Sequence, residues 1–517
     1  MTFPCRRLAL ALLLLAVGAC RGERHPRWPA ENRLTIALES APAHLDTRVG
    51  TDQASDRVFD LMACGLVAKA PNGDLVPSLA STWELLDEGR RYRFHLRPDA
   101  RFHDGRPVEA ADVAATFGSL LDGSVVTSKR GAFTLLRKVE AVDPQTVDFV
   151  LESPSGPFLY ELSSALGILP RGTGPQEQNA RPIGCGPFRL VSRTPERLLF
   201  RAFDGAFGGR PILDEVELKV VPDSTVRALE LLKGSVQLVI NDLPPDLVPP
   251  FRANPDFQVV EKAGGSYAYL GLNLDDPALS DVRVRRALAL SIDRERLVAT
   301  IWRGFGVVTE TMIPPGSWAR NDELPAVHYD PQAAAQLLEA AGYHDPDGPG
   351  PAPRLTLGYK ASSSEIALLQ AQAIAEMTAH AGIRLEVRPL EFATFYADIT
   401  RGSFQIFSLQ RTAILDPNLY RLVLHSQALP PQGQNRGHYQ NAAFDRLIDL
   451  GAALSDRASR RPYYLEAQRL VAEDLPYISL FTKKNFAVMA STLEGYESYP
   501  SGELLGVRRL HWRRPER

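Results

Sequence analysis

SEIALLQAQAIAEMTAHAGIRLEV, residues 364–387, is the stretch that decides the fold class. Ser364 to Ala381 reads as a helix, and Gly382 closes it, because glycine takes the left-handed turn at a helix end without steric cost. Ile383 to Val387 then begins a strand with no loop in between. A helix that runs straight into a strand is the building unit of an α/β layer.

Elements of both kinds flank this unit. On the C-terminal side, 444–450 and 461–473 read as helices and 478–488 as a strand. On the N-terminal side, Asp330-Pro331 opens a helix, with aspartate as its cap and proline at the first helical position, and Ala341-Gly342 ends it. Two successive helices are expected between Ser280 and Ile301. Ser280 caps the first, whose apolar stripe includes Val284, Leu288 and Ile292, and Asp293 caps the second. Further upstream, 33–38, 92–96 and 146–151 alternate as strands. Residues 102–105 form a turn, and 107–120 is helical, with Val113, Thr116, Phe117 and Leu120 on one face. Such interleaving predicts several α/β lobes that share sheets, the chain crossing between them more than once.

The first residues follow a different logic. Arg6 and Arg7 precede an apolar run that ends in Val17-Gly18-Ala19-Cys20. A charged start, a short apolar core and a small-residue site together read as a secretory signal. The run is about half the ~20 residues that span a bilayer. A cysteine directly after two small residues resembles a bacterial lipobox, which implies lipidation of Cys20, loss of residues 1–19 and a polar tether over 20–32. The expected address is the cell envelope, lipid-anchored outside the cytoplasmic membrane, and facing the periplasm in a Gram-negative cell.

A chain of 517 residues suggests two to four domains. Its formal charge of −3 becomes more negative once Arg6 and Arg7 are lost, which argues against nucleic acid as a partner. Beyond Cys5 and Cys20 the cysteines are Cys64 and Cys185, which either pair in an oxidising compartment or stay as two small buried thiols. Their spacing offers no Cys-x-x-Cys site. His328, His344, His425 and His438 are not at helical ligand spacing, and residues 345–348 read as a turn because the late glutamate of a calcium loop is missing. No nucleophile elbow, Ser-x-x-Lys, His-Glu-x-x-His or Walker lysine occurs, and Gly304-Phe305-Gly306 lacks the third glycine of a dinucleotide turn. The expectation is therefore a protein with no catalytic residue, metal or cofactor. A lipid-anchored hydrolase is the minor alternative.

Several strings occur in one order along the chain. The first is Leu75-Val76-Pro77-Ser78-Leu79-Ala80-Ser81-Thr82-Trp83-Glu84, followed by Tyr92-Arg93-Phe94-His95-Leu96-Arg97, Phe102-His103-Asp104-Gly105-Arg106-Pro107-Val108 and Ala110-Ala111-Asp112-Val113. Next come Pro182-Ile183-Gly184-Cys185-Gly186-Pro187-Phe188 and Leu270-Gly271-Leu272-Asn273. The series ends with Val282-Arg283-Val284-Arg285-Arg286-Ala287-Leu288 and Ile292-Asp293-Arg294. Together they resemble the family 5 extracellular solute-binding proteins of ABC importers, the dipeptide, oligopeptide and nickel-binding group. The resemblance implies an α/β, two-lobed periplasmic-binding-protein-like fold (type II, cluster C) with an extra α/β domain inserted in lobe one. Lobe one would comprise 33–64, 164–267 and 486–517, the additional domain 65–163, and lobe two 268–485. It further implies a ligand in the inter-lobe cleft, hinge closure, and a permease and ATPase as partners. Cys64 and Cys185 both fall in or beside lobe-one strings, which favours the pair.

One departure bears on the ligand. Peptide binders of this family carry a late segment similar to Trp-x-Ala-Asp-Tyr-x-Asp-Pro, whose first aspartate meets the peptide ammonium. Aligned on Asp416-Pro417, that position is Ala413 and the aromatic position is Gln410. A buried ammonium without its carboxylate costs several kcal/mol, so a free N-terminus is disfavoured unless Asp416 or Glu391 takes over. Arg411 points the other way, toward a carboxylate or phosphate gripped by two bonds. Tyr267, Tyr269, Trp302, Trp318 and Tyr439 are candidate cleft walls, because ligand pockets are mostly apolar and aromatic; the Tyr267–Tyr269 pair is preferred. The expected function is a monomeric, lipid-anchored binding subunit delivering a small peptide-like or anionic solute to an ABC importer. The alternative is a sensor lipoprotein presenting ligand on the same scaffold.

Overall fold

The computed structural model describes residues 32–348, 350–411, 414 and 416–513. Cys20, the signal and nearly all of the tether lie outside the described residues, as does Ala413.

Helix Glu365–Ala379 links strand Leu355–Ser362 to strand Ile383–Leu390, which pair in parallel with Leu355 opposite Ile383. Gly382 sits at φ 81°, the left-handed conformation its place after the helix requires. Ala371, Ile374 and Met377 turn one helix face onto these strands and share a core with Leu288 and Ile478.

The two parallel strands form one edge of a mixed eleven-stranded sheet. Inward from that edge come Ile406–Arg411, then the long strands Phe257–Leu272 and Tyr477–Ala490. Beyond them lie Leu238–Ile240, Arg33–Leu38, Glu215–Val220, Arg197–Ala202 and Phe188–Arg193, while Gly306–Val308 pairs separately with Tyr477–Ala490. The two long strands serve both halves of the molecule. Phe257 to Ala263 face Ala490 to Lys484 beside a core built on Leu34, Ile36, Val216 and Met489. Tyr267 to Gly271 face Thr482 to Tyr477 beside the core of Leu270, Leu288 and Ile374. Pairing is interrupted between Ala263 and Tyr267, at Gly264-Gly265-Ser266. A Cβ on Gly264 would stand 2.7 Å from the Lys483 carbonyl oxygen, so this close approach of the crossing strands demands glycine.

A separate four-stranded antiparallel sheet, ordered Ala80–Leu86, Arg91–Leu96, Thr146–Leu151 and Leu136–Asp143, is covered by helix Ala110–Leu121. Phe94, Phe117, Phe149 and Phe158 fill the space between in edge-to-face contacts such as Phe117–Phe149 at 4.9 Å. Cys64 and Cys185 are disulfide-bonded, their Cα atoms 5.4 Å apart, joining the chain where it enters this region to the turn that follows it.

Two of the expected helix starts shift downstream for one reason, while those expected at 444 and 461 lie earlier, at Ala442 and Arg457. The first of the paired helices is Val282–Leu290, and its cap is Asp281, whose carboxylate accepts from the Arg283 N–H at 2.8 Å; Ser280 instead donates to Pro277. The helix expected from 107 begins at Ala110, where Glu109 and Asp112 form a reciprocal capping box. In both places a carboxylate one to three residues downstream outcompetes the residue first expected to open the helix. Asp293 and Asp330 cap their helices as expected.

Candidate functional site

A cavity of about 890 Å³ lies at the waist. Helix Gln53–Met62 and the segments around 64–69, 185–187, 206–208 and 499–509 form its walls, and Ser266 and residues 483–486 of the crossing strands close one side. The disulfide cysteines belong to its lining, so a covalent staple fixes the wall from which the extra sheet departs.

The charges in this cavity are unevenly matched. Lys69 pairs with Glu503 at 2.7 Å and Arg57 with Asp242 at 2.6 Å. Burial opposes ionisation of Glu503, yet the Lys69 ammonium holds its carboxyl below the ordinary range. Asp60 accepts from the Leu504 N–H at 2.7 Å, and burial, reinforced by Glu503, pushes it up to about 8. Asp56 is raised as well, again mainly by burial. On the opposite strand Lys483 lies with its Nζ 4.9 Å from the centre of the Trp302 ring, and burial pulls its ammonium down. The sequence marks Lys483 only through Lys483-Lys484, two consecutive basic residues within the largely apolar strand Tyr477–Ala490. Asp56 and Asp60 gave no such signal, since acids on a helix such as Gln53–Met62 are commonplace.

The residues singled out from the sequence fall elsewhere. Arg411, Tyr267, Tyr269 and Tyr439 come together around a separate pocket of about 40 Å³. Strand pairing explains the gathering, because Tyr267 stands opposite Arg411 in register. Tyr267 stacks on Tyr269 with ring centres 5.5 Å apart and shares a hydrogen bond with the Ser479 hydroxyl at 2.7 Å. The Tyr439 hydroxyl donates to Asp474 at 2.6 Å; burial and that carboxylate push its pKa up. Arg411 donates to Gln434, and beside it the buried Arg436 lies over the Tyr396 ring at 5.0 Å. A pocket of this size has room for about one water or a small group. These four residues therefore do not line the large cavity.

Trp302, Trp318 and Asp416 do not join them. Trp302 is in the core, its Nε1–H donating to Gln370 at 3.0 Å and its ring against Phe481. Trp318 lies edge-on to Tyr464 with the Arg460 guanidinium 5.2 Å over its ring. Asp416 holds Arg460 through two bonds of 2.8 and 2.9 Å, which spends the carboxylate proposed for an ammonium. Glu391 is likewise engaged, capping helix Phe392–Thr400 by accepting from the Ala393 and Thr394 N–H groups. The four histidines are scattered: His344 pairs with Glu339, His438 with Asp275, and burial lowers His425. Among the described residues no group of three or more His, Cys, Asp or Glu is placed to hold a metal ion. Asp345 accepts from the Asp347 and Gly348 N–H groups, the geometry of a turn.

The inserted region also touches the far half. Gly156 N–H donates to the Ala452 carbonyl at 3.0 Å, and Arg457 pairs with Asp74 and Tyr160. Glu161, beside this contact, is pushed up to about 7 by burial and by Asp416.

A family model described as bacterial extracellular solute-binding proteins, family 5, middle, matches residues 74–428. The chain is 27% identical to the dipeptide-binding protein of Escherichia coli K12 over 468 residues, covering 83% of this chain and 85% of that one. It is 28% identical to heme-binding protein A of Haemophilus influenzae, with 90% and 89% covered. The solved structure of the oligopeptide-binding protein AppA from Bacillus subtilis, in complex with a nonapeptide, superposes with a TM-score of 0.74 at 26% identity, over 93% of this chain and 98% of that one.

Proposed function

The chain belongs to the bacterial extracellular solute-binding proteins of family 5, and on that premise we propose that it is the lipid-anchored binding subunit of an ABC importer, capturing a small peptide-like or anionic solute by hinge closure. Its fold is the mixed α/β, two-lobed fold of that family, and its coarser role is that of a substrate-binding component for peptides or related solutes. Lobe one takes 33–64, 164–267 and 486–517, the additional domain 65–163, and lobe two 268–485. Cys20 carries the lipid and 20–32 the tether, so that a monomer works in the cell envelope beside a permease and an ATPase. Among the described residues no helix is long and apolar enough to cross a membrane.

The observation that carries this reading is that the cavity meets a break in strand pairing, which we take as the hinge. The interruption at Gly264-Gly265-Ser266 lies on the crossing strands, and Ser266 and Lys483 line the 890 Å³ cavity. A ligand that touches both sides of this waist binds the closed form better than the open one and shifts the population toward it. Arg411, with Tyr269 and Tyr439, belongs on this account to the lobe-two wall behind the cleft, beside Tyr267 at the lobe crossing, and its guanidinium contributes positive potential.

The test is a thermal-shift screen with free dipeptides, N-blocked peptides, sugar phosphates, dicarboxylates and nickel chelates. A true ligand at 100 times its Kd adds ~2.7 kcal/mol of stability. A shift with at least one class supports the reading. A protein that no class stabilises, at concentrations saturating for micromolar sites, contradicts it.

A further inference from the structure

Lys483 distinguishes this cavity from a merely roomy one. Most other basic groups around it have a partner: Lys69 has Glu503 at 2.7 Å, Arg57 has Asp242 at 2.6 Å and Lys484 has Glu261 at 3.3 Å, while Arg97 and Arg508 donate to the main-chain carbonyls of Ser78 and of Gly208 and Gly209. Among the described residues no carboxylate pairs with Lys483, and burial alone draws its ammonium below the ordinary lysine value. Its Nζ rests on the face of Trp302, 4.9 Å from the ring centre, and that ring is fixed by its bond to Gln370 and by Phe481 at 5.1 Å. A ring face attracts a cation but accepts no full hydrogen bond, so an ammonium with three N–H donors keeps donors to spare beside the cavity. Of the acids lining the same cavity, Asp60 is pushed up to about 8 by burial and so adds little negative charge near neutrality, Asp56 is raised as well, and Asp242 and Glu503 face Arg57 and Lys69.

Resting on the proposed solute site, we infer that Lys483 receives a carboxylate of the bound solute, with Trp302 holding the ammonium in place at the cavity wall. The ligand class is thus a carboxylic acid, with a free carboxyl end where the solute is a peptide. Lys483 also sits in the strand next to Gly264, whose Cβ position abuts its carbonyl, so the ligand's charge is read at the hinge itself.

The experiment measures Kd by calorimetry for N-acetyl-dialanine and for its C-terminal amide, which lacks the charge. The proteins are wild type, Lys483→Met, Lys483→Gln, Lys483→Arg and Ala206→Trp, each checked for a native melting transition. Ala206 lines the cavity from a different segment of the chain, and tryptophan there fills space. We expect the acid to bind wild type at least tenfold more tightly than the amide. Lys483→Met and Lys483→Gln should lose about ten- to a hundredfold for the acid and little for the amide, Lys483→Arg should retain most of the affinity, and Ala206→Trp should weaken both ligands. Wild-type affinity for the acid in Lys483→Met, with binding blocked in Ala206→Trp, overturns the lysine assignment and leaves the solute site standing. Binding that Ala206→Trp does not disturb, or no binding of the acid by wild type, overturns the site and the assignment together.

Discussion

Two of the molecule's pockets, the waist cavity and the tyrosine pocket, teach different things. The waist cavity, about 890 Å³, holds charges that the fold leaves incompletely matched: Lys483 with only a ring face, Asp60 pushed up to about 8 by burial, and Asp56 raised by the same cause. In the tyrosine pocket, about 40 Å³, the groups singled out are bonded, Tyr267 to Ser479, Tyr439 to Asp474, Arg411 to Gln434 and Arg436 to Tyr396, while the Tyr477 hydroxyl and Arg436 Nε have no hydrogen-bond partner among the described residues. Unmatched charge around a large space is what a ligand completes; matched polar groups around a small one are what hold a lobe together.

Four substitutions sharpen or break this contrast, and the first should have the largest effect. Trp302→Ala removes a buried indole from the core it shares with Leu288 and Ile374 and should cost about 3–5 kcal/mol in urea unfolding; a loss below about 1 kcal/mol would mean that the indole adds little to that core. Next, replacing Cys64 and Cys185 by serine opens a cross-link over 121 residues of chain. It should lower stability by about 2–4 kcal/mol, with hydrogen exchange rising around the waist cavity and unchanged at the tyrosine pocket.

The third effect is a slope. Asp60 has an ordinary value of 3.8 but is pushed up to about 8 in the folded protein. Between those pH values the unfolded chain ionises while the folded one keeps its proton, so stability falls as pH rises, by at most ~1.4 kcal/mol per unit. Asp60→Asn should flatten the pH dependence of the melting temperature from about pH 4 to 8; an unaltered slope would mean that Asp60 is solvated. The smallest effect belongs to Tyr267→Phe. It removes one buried hydrogen bond to Ser479, worth about 1 kcal/mol, and should leave solute affinity within a factor of two. A tenfold loss of affinity would move the binding site to the tyrosine pocket.

Much of the architecture was legible because it is written locally. Gly382 after an apolar helical run, and Asp293 and Asp330-Pro331 before two others, fix helix ends by bonds within a few residues. Ordered strings from Leu75 to Arg294 carried the family. The site was harder to read because its partners are remote in sequence. Lys483 meets Trp302, Glu503 meets Lys69, and Arg460 meets Asp416 only after the sheet has been assembled. Asp416 illustrates the difficulty: an aspartate in a family ligand segment looks available until a buried arginine is found holding both its oxygens. Tyr267 and Arg411 did come together, since cross-strand register brings them opposite each other, but the space they share is too small for a solute.

The central claim is that a solute in the waist cavity draws the two lobes together about Gly264-Gly265-Ser266. Small-angle X-ray scattering on the protein, with and without a saturating ligand from the thermal-shift screen, tests it most directly. The account predicts a smaller radius of gyration in the saturated protein, and the same compaction should fail in Ala206→Trp, which cannot load. An unchanged scattering curve from fully ligand-bound wild type would contradict it.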